Sequence, residues 1–256
     1  MKTVVITGAA SGLGKGMAEK FAAQGYAVAI LDRDHDKAIH VAVELSQQYN
    51  IKAQGIFVDI AEPQAVTEAF EQIESEFKKV DILVNNAGIQ TISPLTEFNF
   101  VDWQRMINIH INGNFLMTQT AMKKMQQSKQ GGSIVFIGSI YSLFAALNKS
   151  AYVTAKHALV GLMRAVAKEG AAFNIRSNLV APGFVKTPLV EKQIPEQAQT
   201  LGISEKEVME RIMLGQTMDA KFTTAEEVAD TAYFLATFPT LALTGQMLCV
   251  SHGWGV

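Results

Sequence analysis

Short apolar runs alternate with longer stretches of helical period along the chain. Val4-Val5-Ile6, Ala27 to Leu31, Ile56-Phe57-Val58, Ile82-Leu83-Val84 and Ile134 to Ile137 carry no polar alternation, the mark of strands buried on both faces. Between them Leu13, Met17 and Phe21 recur every fourth residue, and Val66, Phe70, Ile73 and Phe77 mark one face of another helix. Ile175 to Ala181 reads as a sixth strand and Met247 to Val250 as a seventh. The alternation predicts an α/β fold: a single doubly wound domain over residues 1–256, with a seven-stranded parallel sheet flanked by helices. No repeat, linker or low-complexity tract interrupts the pattern.

From Thr187 to Thr223 the pattern is less regular. Glu191, Glu205 and Arg211 alternate there with Leu189, Ile194, Val208 and Ile212, as in two short amphipathic helices. This segment, at about 187–223, is expected to form a substrate lid over the carboxyl ends of the strands, where open α/β sheets bind ligands.

Composition narrows the class. Hydrophobic residues are 48% and charged residues 18%, against roughly 25% charged in ordinary globular chains, which suits a large core and further surface hidden in an oligomer. Lys plus Arg is 22 and Asp plus Glu is 24, a net charge of −2, so neither nucleic acid nor an acidic membrane is expected as partner. The N-terminal apolar run is too short for a signal peptide. Thr231 to Val256 lacks Asp, Glu, Lys and Arg, but Pro239, Thr240, Thr244, Gly245 and Gln246 break it. It is expected to be a helix, a turn and a last buried strand at a subunit interface rather than a membrane span. A single cysteine, Cys249, excludes an internal disulfide and fits a reducing, cytoplasmic setting. Within that strand it reads as a small apolar residue, and Met117, Met122 and Met125 read as core or interface fill.

Candidate chemistry begins at the first strand. Gly8-Ala9-Ala10-Ser11-Gly12-Leu13-Gly14 ends that strand and opens a helix. Glycines there allow close backbone approach, and a helix N-terminus attracts a pyrophosphate, as in Rossmann-type folds. Asp32 ends the second strand, 18 residues beyond Gly14. A carboxylate there accepts hydrogen bonds from an adenosine ribose and repels a 2′-phosphate, favouring NAD over NADP, although Arg33 beside it offers a guanidinium for that phosphate. Asp32, Asp34 and Asp36 imitate a calcium loop, but Lys37 stands where glycine is needed and Val43 where glutamate is needed, so no metal is expected.

Tyr152 and Lys156 are four residues apart at the start of an apolar helix and share a face. A free tyrosine titrates near pH ~10; a neighbouring ammonium favours its phenolate, which can take a proton from an alcohol as hydride leaves the carbon. Ser139, 13 residues before Tyr152, ends the fifth strand within reach of the same substrate oxygen.

Together, the loop from Thr7 to Gly14, Asn85-Asn86-Ala87-Gly88, Ser139, Tyr152-x3-Lys156 and Pro182-Gly183 resemble the short-chain dehydrogenase/reductase family, in the family's order and over nearly the whole chain. The resemblance implies catalytic roles for Ser139, Tyr152 and Lys156. It implies cofactor contacts at Gly8, Ser11, Gly12, Leu13, Gly14 and Asp32, at Asp59 and Ile60 near the adenine, at Asn86, Ala87 and Gly88, and at Pro182, Gly183, Val185 and Thr187 around the nicotinamide. It also implies a homotetramer. One position departs from the pattern: the family's helix asparagine, which supports a water-linked proton path to the lysine, aligns with His110. An imidazole there can relay protons or be a histidine satisfied by helix packing, and Asn112 can take over after a small helix shift.

Further stretches resemble the family's bacterial 3-hydroxybutyrate dehydrogenases: Ala87 to Gln90, Lys149 to Tyr152 with Ala155-Lys156-His157, Thr187 to Ile194, and Ser251 to Trp254. That resemblance implies Gln90, Lys149 and Gln193 around a substrate carboxylate and Ser139 with Tyr152 at its hydroxyl. Tyr141 replaces a histidine that often helps there, Phe184 offers an apolar wall, and Trp254 is a substrate wall or an oligomer anchor. The expected reaction is reversible oxidation of D-3-hydroxybutyrate to acetoacetate with NAD. A diol or acetoin dehydrogenase, a 3-oxoacyl reductase and a non-catalytic NAD(H)-binding protein are the alternatives.

Overall fold

The structure, a computed structural model, describes residues 1–255 apart from the Leu189 side chain. Its sheet has seven parallel strands in the order β3-β2-β1-β4-β5-β6-β7. These are β1 (Thr3–Thr7), β2 (Ala27–Asp32), β3 (Ala53–Phe57), β4 (Ile82–Asn85), β5 (Gly132–Ile137), β6 (Ile175–Pro182) and β7 (Met247–Val250). Alternation along β1 serves both faces: Val5 packs into one core and Val4 and Ile6 into the other. The first core is closed by α3 (Pro63–Phe77), α5 (Asn114–Ser128) and α6 (Ser150–Gly170). The second is closed by α1 (Gly12–Ala23), α2 (His35–Tyr49) and α9 (Ala225–Thr237). Met117 and Met125 are core residues, with Met122 packed against them.

The chain runs outward through β2 and β3, then returns to place β4 on the other side of β1. Such a reversal opens a crevice at the carboxyl ends of the two strands. Here it is pinned by side chains. The Thr7 hydroxyl accepts from the Asn86 and Ala87 backbone amides, each at 3.0 Å, and the Asn86 side-chain Nδ2 donates to the Thr7 and Gly8 carbonyls at 2.9 and 3.1 Å.

Three elements differ from the sequence pattern. β3 begins at Ala53, three residues before its apolar run, and Phe57 is 48% exposed because β3 is an edge strand. β7 is the other edge, so Cys249 is exposed rather than buried in this chain. Between α4 (Phe100–Ile107) and α5, a π-helical turn over Asn108–Gly113 keeps one continuous helix but carries an extra residue; such turns recur at functional sites.

The 187–223 segment holds α7 (Pro188–Leu201), then α8 (Glu205–Glu207) running into a second π-helical turn, Val208–Met213. Thr187 caps α7 by accepting from the Val190 amide at 3.4 Å, and the helix continues through Pro195. Ile194, Val208 and Met213 form a third cluster with Tyr141, Phe184 and Trp254. Among the described residues no helix is long and apolar enough to cross a membrane.

Candidate active site

The carboxyl ends of the central strands open into one long cleft. Its first end is the glycine loop, where Gly8, Ser11, Gly12 and Leu13 line the wall with Asp32, Asp59 and Ile60. Gly8 and Gly12 have left-handed backbones, φ +63° and +54°, which glycine alone adopts cheaply. A Cβ on Gly12 would project into the gap facing Thr187, 3.9 Å from its side chain. The first turn of α1 has no side-chain cap and no acidic residue, so its N–H groups border that gap and suit a pyrophosphate. Asp32 at the end of β2 accepts from the Ala10 amide at 3.0 Å and the Asp34 amide at 3.1 Å. Arg33 turns to Asp59, 3.7 Å away.

The middle of the cleft is built from β4, β5 and α6. Asn86, Ala87 and Gly88 line it, with Pro182, Gly183, Val185 and Thr187 opposite. Lys149, Tyr152 and Lys156 stand at i, i+3 and i+7 across the start of α6 and face the cleft together. The Lys156 ammonium is buried, donates to the Ile137 carbonyl at 2.8 Å, and lies 5.4 Å from the Tyr152 ring centre. Burial pushes the Tyr152 phenol up to about 12, with a hydrogen bond from Ser139 acting in the opposite sense. Burial also lowers Lys156 to about 7. Desolvation is thus the first influence on the phenol, ahead of its hydrogen bond with Ser139.

His110 belongs to this centre. Its ring meets Tyr152 edge to face, 5.7 Å between centroids, and a Cβ on Gly88 would lie 2.5 Å from its Cε1. Nε2 is 2.7 Å from the Ile89 carbonyl oxygen and 3.1 Å from the Ile89 amide nitrogen, while Nδ1 is buried without a partner in the protein. Burial first, then the Lys156 charge, lowers its pKa to about 3, so the ring is neutral. Asn112, the alternative, is exposed and donates to Asn108 at 2.8 Å; it does not reach the cleft.

The far end holds Gln90, Tyr141, Lys149, Phe184 and Gln193. Lys149 is 3% exposed, and burial brings its pKa down to about 8. Its ammonium is 3.5 Å from Gln193 Oε1, and no carboxylate among the described residues pairs with it. The Nε2 of Gln90 is buried without a partner in the protein.

Two expected contacts are not made directly. Gly14 is packed behind the loop, where a Cβ would lie 2.2 Å from the Gly8 carbonyl, so it serves the helix–strand approach and does not line the cleft. Trp254 stands behind Tyr141, with ring centroids 5.8 Å apart, and is not a cleft wall. Conversely, the Ile137 carbonyl that anchors Lys156 carries no sequence signal, because any residue supplies it. Phe184 does more than its apolar character suggested, since its ring faces Lys149 at 5.1 Å.

Comparison with known proteins agrees with this geometry. The short chain dehydrogenase family profile matches residues 2–198. The chain is 34% identical to the D-beta-hydroxybutyrate dehydrogenase of Rhizobium meliloti, over 99% of this chain and 98% of that one. It is 32% identical to a 3-oxoacyl-[acyl-carrier-protein] reductase of Aquifex aeolicus, over 98% and 96%. The crystal structure of 3-ketoacyl-(acyl-carrier-protein) reductase from Brucella melitensis complexed with NADH superposes with a TM-score of 0.87 at 29% identity, covering 100% of this chain and 98% of that one. This chain is an oxidoreductase that belongs to the short-chain dehydrogenase family.

Proposed function

We propose that this protein oxidises D-3-hydroxybutyrate to acetoacetate with NAD, reversibly. The carrying observation is Lys149, a buried ammonium on the cleft wall with no carboxylate among the described residues to pair with it. A substrate carboxylate is its complement. Gln90, whose buried Nε2 has no partner in the protein, and Gln193 add polar contacts without adding charge. A neutral alcohol would leave these groups unmatched. The name of the Rhizobium meliloti relative supports the same substrate.

In this reading the substrate hydroxyl lies between Ser139 and Tyr152. Ser139 orients the oxygen, the ionised Tyr152 takes the hydroxyl proton, and the C3–H bond breaks with its electron pair as C–O becomes C=O. A bound nicotinamide dinucleotide supplies the acceptor for that hydride, and its cationic ring favours the Tyr152 phenolate. Lys156, held by the Ile137 carbonyl, adds positive charge and would hold the ribose of a bound dinucleotide. In the reverse direction Tyr152 returns the proton. His110 anchors Ile89, and hence the segment from Gly88 to Gln90, rather than passing protons as an imidazolium; its pKa of about 3 opposes the charged form.

Asp32, set by two backbone amides, and Arg33, drawn to Asp59, support NAD over NADP. Pro188, Val190 and Gln193 of α7 line the cleft and support its role as the lid. Exposed Phe100, Val101 and Phe115 on α4 and α5, and Phe234 on α9, support a homotetramer; one cysteine supports a cytoplasmic setting. The Aquifex aeolicus relative favours a second reading, reduction of a 3-oxoacyl thioester, in which Lys149 has no carboxylate to hold. Lys149→Met separates the two. It raises the KM for the hydroxy acid by on the order of 100-fold and leaves turnover of a neutral secondary alcohol intact; an unchanged KM overturns the acid reading.

A further inference from the structure

We infer that Tyr141 and Phe184 form an aromatic cage around the Lys149 ammonium and thereby set how tightly this protein holds a carboxylate; the inference rests on the hydroxy-acid reading above. The ammonium nitrogen is 5.1 Å from the centre of each ring. The two rings meet edge to face, 6.1 Å apart at 84°. Aromatic faces carry negative partial charge and attract a cation within about 6 Å of the centroid, most strongly where water is excluded.

Lys149 needs such a partner. An ammonium buried without compensation is strongly destabilising, and its approach to Gln193 Oε1, at 3.5 Å, lies at the outer limit of a hydrogen bond. A carboxylate in this position would hold the lysine firmly but cancel its charge and compete with the substrate. Two ring faces steady the cation and leave the full positive charge in the cleft. The rings therefore keep the anion site both occupied by its lysine and open to an acid.

The geometry also says which part of Tyr141 matters. Phe184 has no hydroxyl, yet stands at the same distance from the ammonium as Tyr141. The action lies in the ring faces, and the Tyr141 hydroxyl is not required for it. The ring is held from behind by Trp254, 5.8 Å away, and borders Tyr152, 6.5 Å away. One side chain thus joins the anion site to the reacting centre. Tyr141 and Phe184 are positioning residues, since they act through Lys149.

The test is binding of butyrate, which has the carboxylate but no hydroxyl to oxidise, to the protein–NAD complex, followed by calorimetry beside the KM and kcat of the hydroxy acid. Phe184→Leu and Tyr141→Leu are expected to weaken butyrate and raise the KM on the order of tenfold, a larger factor than any change in kcat. Phe184→Tyr and Tyr141→Phe keep both rings and should bind butyrate as the wild type does. Wild-type affinity in both leucine variants overturns the cage and leaves the hydroxy-acid reading standing. A Tyr141→Phe variant as weak as Tyr141→Leu assigns the effect to the hydroxyl and also overturns it. Failure of the wild type itself to bind butyrate overturns the acid reading, and the cage with it.

Discussion

His110 reaches Ile89 through a single ring nitrogen, 2.7 Å from its carbonyl oxygen and 3.1 Å from its amide nitrogen. A neutral imidazole presents that nitrogen as donor or as acceptor, never both. One Ile89 group is therefore always left unmatched by the ring. An asparagine side chain carries both an N–H donor group and a carbonyl acceptor, so it has a match in kind for each.

From this pairing, His110→Asn is expected to keep kcat/KM within about threefold, whereas His110→Ala leaves both Ile89 groups bare. An unpaired buried polar group costs about 1–3 kcal/mol, which thermal unfolding would register. Gln90 follows Ile89, so the alanine variant should also raise the KM for the acid more than it lowers kcat. Equal damage from asparagine and alanine would mean that the ring itself takes part in the chemistry.

Burial lowers Lys149 to about 8, and the sign of the pH effect follows. Below that value the ammonium is charged and holds a carboxylate; above it the charge is lost. The acid is ionised throughout, so kcat/KM for it should gain a basic limb near pH 8 that falls about tenfold per pH unit. A neutral alcohol should lack that limb. Parallel pH profiles for the two substrates would remove Lys149 from acid recognition.

At the adenosine end, Asp32→Ala removes the acceptor of the Ala10 and Asp34 amides along with the charge that repels a 2′-phosphate. Hydrogen bonds to a charged group contribute about 1.5–3 kcal/mol each. The ratio of kcat/KM with NAD to that with NADP is expected to fall by on the order of tenfold or more, and Arg33 then has a phosphate to meet. An unchanged ratio would show that Asp32 shapes the loop without choosing the cofactor.

Much of this arrangement is legible in the sequence because strands buried on both faces must be apolar throughout. That is why Val4 to Ile6 and Ile82 to Val84 announce themselves, and why the edge strand β3 shows only its end at Ile56-Phe57 and not its entry through Ala53-Gln54-Gly55. Glycine, Tyr152 and Lys156 carry spacing signals because backbone approach and shared helix faces demand them. The π-helical turn at Asn108–Gly113 changes register by one residue and leaves no compositional trace. The phenol of Tyr152, pushed up rather than down, reflects burial, which spacing cannot report. Trp254 packs behind Tyr141 and against Phe144, a tertiary placement that the resemblance, with its substrate wall or oligomer anchor, does not report.

The central claim is tested most directly by absorbance at the NADH band, with purified protein, D-3-hydroxybutyrate and NAD, and with NADP, the L acid, a neutral diol and Tyr152→Phe in parallel. NADH formation with the D acid and NAD, absent or slower by a factor of about 100 or more in Tyr152→Phe and slow with the diol, is the result expected. Turnover of the diol with none of the acid would contradict the carboxylate site built on Lys149, and full activity of Tyr152→Phe would contradict the assignment of the base.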